Sequence, residues 1–204
     1  MRASKVSTHS SRRDLLTDSR GQTILEFSIV MPLVLLLVLG VVEFGYALLD
    51  QQVVTKLTRE GSNLISRDSS LQDATTALRT MATRPVDFSN GSKMIFSVLK
   101  RGGTPATANY QRIILYQRTS YGNGSGASKL LTSGTGSFHG APDYEAFNSD
   151  TDTRLQITNV PANLITVDGG LMYVTEVYTR HTLITPFHQF GVRLPENLYS
   201  IAYF

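Results

Sequence analysis

The chain has 204 residues and a formal net charge of +3, and 41% of its residues are hydrophobic against 17% charged, which excludes a disordered polyelectrolyte. Its length suits one domain with an appendage. Cysteine is absent, which excludes a disulfide scaffold, a thiolate zinc site, a cysteine nucleophile and a covalent haem attachment.

Residues 1–21 hold the whole net charge. They contain five basic and two acidic side chains, whereas the rest of the chain contains fourteen of each sign. A nucleic-acid binder carries its basic charge on one face of the folded domain, so we expect no nucleic-acid partner. We interpret residues 1–21 as a basic leader at the cytoplasmic face of a membrane.

An apolar run follows from Ile24 to Leu49, and its part from Phe27 to Val42 has no charged residue. As a helix that part would span about 24 Å, and the apolar flanks extend it towards the thickness of a bilayer core of about 30 Å. A run that is apolar on every side has no polar face for water, which argues against a soluble core helix. The pattern predicts a single membrane-spanning helix over residues 22–49, with membrane lipid as its surroundings and Glu43 near the outer boundary.

Flanking charge predicts the orientation of this helix. Five basic residues precede it, and Lys56, Arg59 and Arg67 follow within twenty residues. The side with more Lys and Arg tends to remain cytoplasmic, so we expect the amino terminus in the cytoplasm and the carboxy-terminal domain outside. A signal peptide cleaved near Gly45-Tyr46-Ala47 is disfavoured by Glu43, whereas an ordinary uncleaved signal anchor remains an alternative.

A processing motif stands at the start of the span, in Arg20-Gly21-Gln22-Thr23-Ile24-Leu25-Glu26-Phe27. It resembles the Gly-xxxx-Glu-Phe/Tyr site of type IV pilin-like proteins in the tight-adherence (Tad/Flp) pilus system. Residues 20–67 are similar to the TadE-like pseudopilin family, with which they share Pro32 and the Thr58-Arg59-Glu60-Gly61 segment. Three later segments are also similar to that family: Tyr173–Tyr178, Leu183–Pro186 and Leu198–Phe204.

The resemblance implies that a prepilin peptidase cuts between Gly21 and Gln22, which would leave 183 residues. Glu26 would then be residue five of the mature chain, followed by Phe27, and its carboxylate would pair with the new ammonium group of Gln22 on its own or a neighbouring subunit. The alternative is that Glu26 only reaches the headgroups. Pro32 predicts a kink, although membrane helices also tolerate proline.

The sequence pattern of residues 50–204 predicts an extracytoplasmic α+β domain with a small antiparallel sheet. The first helix continues past the membrane, because Val53, Leu57 and Gly61 recur at four-residue spacing. Ser70 and Asp73 resemble a capping box that starts a second helix, which ends near Thr83. Five strand-like runs follow, near residues 94–99, 113–116, 154–158, 171–183 and 198–204. Residues 119–152 are rich in Gly, Ser, Thr and Asn and predict a flexible loop.

No motif for catalysis is visible. The glycine cluster lacks the Gly-Lys-Ser/Thr of a phosphate loop. His139, His181 and His188 match no metal-site spacing. Asn148–Asp152 alternates oxygen ligands as a calcium loop does, but it lacks the glycine at the sixth position and the glutamate at the twelfth. Calcium near Asp150 and Asp152 therefore stays an open alternative to a solvated turn, and we expect no enzyme activity, no cofactor and no metal.

The resemblance implies a minor pilin or pseudopilin of a Tad-type pilus machine in the bacterial inner membrane, acting in pilus biogenesis, adherence or secretion. Its implied partners are the prepilin peptidase, other pilus subunits and the inner-membrane assembly platform. Entry into the filament, capping of it and retention in the membrane all remain open. The alternative from another class is an uncleaved, membrane-anchored ligand-binding protein that uses residues 119–152.

Overall fold

The computed structural model describes residues 19–161, 163–185 and 196–204, so the predicted leader up to residue 18 and His188 lie outside the described residues. The chain divides into two compact units, one up to Gly45 and one from Tyr46 to Phe204. The helices and strands are α1 (Ser19–Ile65), α2 (Leu71–Met81), β1 (Lys93–Arg101), β2 (Ile113–Tyr121), β3 (Leu171–Arg180) and β4 (Asn197–Tyr203). A long apolar helix, a second helix and a small antiparallel sheet confirm the predicted α+β class.

Helix α1 is 47 residues long and continuous, and Pro32 lies inside it. Among the described residues it is the one helix long and apolar enough to cross a membrane, and none of its most apolar stretch is buried. Its large hydrophobic side chains between Ile24 and Leu49 are exposed all round the helix. The periodic pattern past Leu49 also continues the helix as predicted, to Ile65.

Helix α2 begins at the predicted cap. The backbone N–H of Asp73 donates to the Ser70 hydroxyl oxygen at 3.1 Å, and that hydroxyl donates to the Asp73 carboxylate at 2.8 Å. Such a cap satisfies one of the helix's free amide donors. The helix ends at Met81, two residues before the predicted Thr83, because Ala82 already has an extended backbone.

The sheet has the strand order β2-β1-β3-β4, and every neighbouring pair is antiparallel. The predicted third strand near residues 154–158 does not join it. Residues Thr153–Leu155 form a 3-10 turn instead, since the Asp152 side chain accepts from the backbone N–H of Arg154 and caps the turn. Gln156 and Ile157 keep only isolated bridges, to Ile114 and Thr132. The predicted loop also begins later than residue 119, because β2 extends to Tyr121.

One face of the sheet packs on the two helices. Its buried centre is a cluster in which strand side chains meet side chains from α1 and α2: Val54, Leu57, Ile65, Leu71, Ala74, Leu78, Met94, Phe96, Val98 and Val177. Along β1 these residues follow the period of two, and along α1 Leu57 keeps the predicted stripe, whereas Val54 and not Val53 is buried. Burial of each large side chain contributes about 1.5–3 kcal/mol, so this layer fixes the carboxy-terminal part of α1 on the sheet.

Gly61 allows α1 to approach β3 closely. A Cβ atom at this position would lie 2.8 Å from the Thr175 methyl carbon and 2.9 Å from a Leu78 methyl carbon. Two hydroxyls of the same helix reach β4: Thr58 Oγ1 lies 3.0 Å from Ser200 Oγ, and Ser62 Oγ donates to the Ala202 carbonyl at 3.0 Å. Small and hydroxylated residues therefore form this part of the contact, because larger side chains would prevent the close approach of α1 to β3 and β4.

The other face of the sheet is covered by the long connection between β2 and β3. Leu130 and Ile165 of this connection pack on Leu99, Leu115 and Val174 of the strands. The connection contributes buried side chains to the core of the domain, although its described residues form no α-helix and no strand of the sheet.

Glu176 lies at the centre of this second layer and is fully buried. Its carboxylate accepts hydrogen bonds from Ser128 Oγ at 2.5 Å, from the backbone N–H of Lys129 at 2.7 Å and from the Tyr199 hydroxyl at 3.0 Å. Arg118 completes the cluster, since its guanidinium donates to the same Ser128 hydroxyl at 3.1 Å. Burial lowers the pKa of Arg118, and the charge of Glu176 opposes that shift. The cluster ties the connection to the sheet with charge-assisted bonds.

Two tyrosines beside Glu176 are strongly held in the neutral form. Burial, and then the charge of Glu176, raise the pKa of Tyr178 to about 12 and raise that of Tyr199 further. The Tyr178 hydroxyl also donates to the Ala127 carbonyl at 2.5 Å. Ionisation of either phenol would place a second negative charge next to a buried carboxylate, which is unfavourable.

Gly61→Val should lower the free energy of unfolding by at least about 2 kcal/mol, because overpacking against Thr175 and Leu78 exceeds the few tenths gained in helix propensity. Thermal unfolding of the detergent-solubilised chain, followed by circular dichroism, measures the change. Gly45→Val is the matched control in the same helix, since a Cβ atom there meets nothing within 4 Å. Equal unfolding temperatures for the two variants would contradict the close packing.

Alkaline titration followed at 295 nm should show a tyrosine component near pH 12 among the nine tyrosines. The raised pKa of Tyr178 stabilises the fold below its unfolded value of about 10, and this contribution is lost as the pH rises towards 12. Tyr178→Phe should remove the component, Glu176→Gln should shift it to lower pH, and the exposed Tyr110→Phe should leave it unchanged. A single transition near pH 10 for all tyrosines would contradict the cluster.

Candidate functional site

Gly21 lies in the first turn of α1, two residues after the helix begins at Ser19. The residue is exposed, and a Cβ atom built on it would meet nothing within 4 Å. The first turn of a helix has amide groups without partners inside the helix, so only a few hydrogen bonds need to open for this segment to become extended. The predicted processing site is thus accessible to a large partner such as a protease.

Glu26 and Gln22 lie on one face of α1, one turn apart. The Gln22 side-chain amide donates to the Glu26 carboxylate at 2.9 Å, and both residues are exposed. Phe27, next to Glu26, is 64% exposed. The structure therefore brings together the two residues that the resemblance pairs, through the side chain of Gln22. Four residues of helix correspond to a rise of about 6 Å, so a charged amino group at Gln22 would lie within one turn of the carboxylate.

Pro32 removes one backbone donor inside α1, the one that would bond to the Ser28 carbonyl in a regular helix. The Ser28 hydroxyl donates to the Ile24 carbonyl at 2.8 Å, a bond from a side chain to the preceding turn that often accompanies local bending in helices. The backbone between Ile24 and Pro32 thus combines a missing amide donor with a competing hydroxyl donor, and the helix stays continuous through both.

The two glutamates of the apolar run have different surroundings. Glu26 is exposed, whereas Glu43 is only 1% exposed although its neighbours Val42 and Phe44 are exposed. Burial of a carboxylate is costly unless it has hydrogen-bond or charge partners, so Glu43 depends on its surroundings in the structure more than Glu26 does. The sequence pattern predicted a position near the outer boundary for Glu43 and gave no sign of its burial.

A polar cleft of about 680 Å³ opens in the second unit, beside the residues at which α1 leaves its apolar run. It is lined by α1, by the turn before β1 and by the end of β3: Tyr46, Asp50, Arg84, Pro85, Asp87, Asn90, Gly91, Thr179, Arg180, Thr182 and Ile184. Sequence reasoning did not find this cleft, because its walls come from three segments that are far apart in the chain.

A buried histidine lies at one side of the cleft. His181 Nδ1 lies 2.6 Å from the Asp50 carboxylate, and the histidine side chain is 2% exposed. The backbone N–H of His181 donates to the Glu196 carbonyl at 2.6 Å. The pair of Asp50 and His181 therefore connects α1, just after its apolar run, with the residue that follows β3. The only sequence signal for it is that Asp50 is the first charged residue after Glu43.

The other charged groups of the cleft differ in their partners. Hydrogen bonds from the Ser89 hydroxyl and backbone N–H lower the pKa of Asp87, so this carboxylate is ionised at neutral pH. Arg84 and Arg180 are exposed. Within residues 19–161, 163–185 and 196–204, neither guanidinium takes part in a hydrogen bond or an ion pair. Two guanidinium groups therefore remain available at the cleft.

The candidate metal ligands are not brought together. Among the described residues, no group of three or more His, Asp and Glu side chains is arranged to hold a metal ion. His139 stacks on Phe147 with 3.7 Å between ring centroids. The Asp152 carboxylate accepts from the Arg154 guanidinium at 2.8 Å, and Asp150 accepts from the Thr104 hydroxyl at 2.9 Å. Both carboxylates of the calcium candidate thus have protein partners.

In a comparison with known protein families, most of helix α1 matches a family model. Residues 21–63 match a family model described as TadE-like protein. The match starts at Gly21 and ends two residues before the end of α1, so it covers the predicted processing site, the apolar run and the helix up to its contact with β4. No curated protein and no solved structure matches the chain.

The matched family is the one that the glycine and glutamate motif resembles. It covers 43 of the 204 residues, and the sheet domain lies outside it. A TadE-like domain implies a protein associated with the Tad pilus, and the length and composition of the apolar helix are consistent with a single-pass membrane anchor.

Proposed function

We propose that this protein is a minor pilin or pseudopilin of a Tad (Flp) type IV pilus assembly machine, matured by a prepilin peptidase between Gly21 and Gln22. The observation that carries the proposal is the TadE-like match over residues 21–63, which begins at the glycine of the motif. The role is non-enzymatic: the protein acts in pilus biogenesis, adherence or secretion through its contacts with other subunits.

The exposed surface of α1 supports this function. Most of its large apolar side chains between Ile24 and Phe44 are exposed, and they suit two surroundings in turn, lipid before assembly and neighbouring apolar helices afterwards. Removal of residues 1–21 would take away the whole net charge of +3. The mature subunit would then lack the basic segment that holds its precursor at the cytoplasmic face, so it could leave the bilayer more easily.

The same charge distribution supports the location. The amino terminus would lie in the cytoplasm of a bacterial cell, α1 in the inner membrane and the sheet domain in the periplasm. The partners are the prepilin peptidase at the cytoplasmic face, the other pilus or pseudopilin subunits and the inner-membrane assembly platform.

Glu26 would guide the entry of a subunit into the assembly. A carboxylate among apolar residues is costly in a membrane and needs a partner. After cleavage, the ammonium group of Gln22 on the same or a neighbouring subunit would supply it. The exposed position of Glu26, with Gln22 one turn away on the same face, supports this pairing.

The polar cleft favours a second candidate, an uncleaved, membrane-anchored ligand-binding protein. Its volume of about 680 Å³ lies within the range of small-molecule sites, about 300–1,000 Å³. The two candidates differ in whether residues 1–21 are removed, because a signal anchor keeps its basic leader.

Gly21→Val should abolish processing. With a prepilin peptidase co-expressed, the wild-type protein should lose 21 residues, whereas the variant should keep its full mass, since a β-branched side chain obstructs the extended backbone in a protease cleft. Intact mass spectrometry of the membrane-extracted protein measures both. Gly45→Val makes the same change elsewhere in α1 and should be cleaved normally.

Retention of the full mass by the wild-type protein would reject the pilin proposal in favour of the uncleaved anchor. Because the peptidase acts at the cytoplasmic face, cleavage would also establish the orientation of the chain. Cleavage of Gly21→Val at the wild-type rate would place the processing site elsewhere.

Glu26→Gln should abolish assembly while leaving membrane insertion and cleavage intact. The glutamine can still accept the hydrogen bond from Gln22 but has no charge for an ammonium group. Glu26→Asp retains the charge on a shorter side chain and should keep part of the assembly. Co-isolation with other pilus subunits and counts of surface pili measure the effect. Equal assembly by Glu26→Gln and the wild type would show that Glu26 only reaches the headgroups.

A further inference from the structure

We propose that the polar cleft binds the headgroup of a zwitterionic phospholipid, with its phosphate held by Arg84 and Arg180 and its ammonium group held by Asp87. The site goes beyond the assembly role of α1. It depends on the proposed function in one respect, that α1 lies in the membrane.

The cleft has one wall at the membrane boundary. Tyr46 belongs to the last turn of the apolar run, and Asp50 is the first residue after Leu49, where the run ends. Tyrosines concentrate at this depth, because their rings are apolar and their hydroxyls are polar. If the apolar run spans the bilayer, the headgroups of the outer leaflet lie at the level of these two residues.

The cations of the cleft suit a phosphate. Arg84 comes from the turn before β1 and Arg180 from the end of β3, and both line the same space. A guanidinium group binds phosphate oxygens through two parallel hydrogen bonds. Since both guanidinium groups lack protein partners among the described residues, a phosphate would not have to displace an existing ion pair.

The carboxylates of the cleft determine which phosphate-containing ligand it favours. Asp50 already faces His181 at 2.6 Å, whereas Asp87 is exposed and bonded only to donors in its own turn. A free phosphate ion or a purely anionic headgroup would be repelled by Asp87. A phosphoethanolamine group would satisfy both signs of charge, with its phosphate on the arginines and its ammonium group on this carboxylate.

Size and apolar contacts agree with a lipid. The cleft volume of about 680 Å³ exceeds what a phosphate ion alone would fill. Ile184 and Tyr46 line the cleft and are both exposed, and they provide apolar surface for the glycerol backbone and the first carbons of the acyl chains. An inorganic ion would make no use of these side chains.

Native mass spectrometry of the full-length protein in detergent tests the site. The probes are dihexanoyl phosphatidylethanolamine, dihexanoyl phosphatidylglycerol and inorganic phosphate as a competitor. The wild-type protein should retain the ethanolamine lipid at least about fivefold more than the glycerol lipid, and excess phosphate should not displace it. Arg84→Ala with Arg180→Ala should reduce retention about tenfold, and Asp87→Asn should remove the preference between the two lipids.

The control is Arg67→Ala with Arg112→Ala, which removes the same charge at exposed positions outside the cleft and should leave retention unchanged. Thermal unfolding of each variant checks that the domain is intact. Equal retention by the cleft variant and the wild type, a preference for the glycerol lipid, or displacement by phosphate would each overturn the proposal.

This test uses the unprocessed chain and needs no peptidase or pilus. If the protein retains the lipid but is not cleaved in the peptidase experiment, the lipid site in the cleft stands and the pilin role is rejected. If the protein is cleaved but does not retain the lipid, the pilin role stands and lipid binding in the cleft is rejected.

Discussion

The exposed apolar surface of α1 is the constraint on which the behaviour of the protein depends. Between Ile24 and Leu49, eighteen large hydrophobic side chains are at least 40% exposed. Burial of one such side chain is favourable by about 1.5–3 kcal/mol, so together they amount to tens of kcal/mol. The helix must therefore lie in lipid or against other apolar helices, and the domain that follows must fold without help from this surface.

The same helix changes its chemistry once it reaches the sheet. Beyond Asp50 its inward face carries Gly61 and hydroxyls beside a few buried aliphatic side chains, and the contact combines close approach with the burial of those side chains. Gly61 against Thr175 and the hydroxyls of Thr58 and Ser62 against β4 fix the register of α1 on the domain. Any force on the apolar half of the helix would reach the domain through these contacts.

The parts of the fold that have local causes could be predicted from the sequence. The apolar run, the cap at Ser70 and the alternation along β1 depend on residues close together in the chain, and so does the motif that resembles the TadE-like family. The third strand was predicted wrongly. The alternation around Leu155 favours a strand, but the Asp152 side chain caps a 3-10 turn and bends the chain there. Sequence reasoning placed Glu43 near the outer membrane boundary but did not predict its burial.

The residues that build the cleft and the buried cluster could not have been predicted. Asp50 and His181 are 131 positions apart, and Ser128 and Glu176 are 48 apart. No pattern within one segment reports such pairs, since their contact depends on the packing of the helix and the long connection on the sheet. The signal that exists is chemical: a glutamate in the middle of an apolar strand needs hydrogen-bond donors, and those donors have to come from elsewhere in the chain.

The Glu176 cluster has a consequence for how this protein can change during evolution. It holds the long connection through one hydroxyl, from Ser128, and one main-chain amide, from Lys129. The amide is present whatever side chain stands at position 129, so among the contacts of Glu176 only Ser128 constrains a residue identity in the connection, beside the buried Leu130 and Ile165. Exposed stretches of the connection away from this anchor are free to accept substitutions and insertions. An attachment of this kind leaves the exposed outer surface of the connection more tolerant of change than the part of α1 that packs on the sheet.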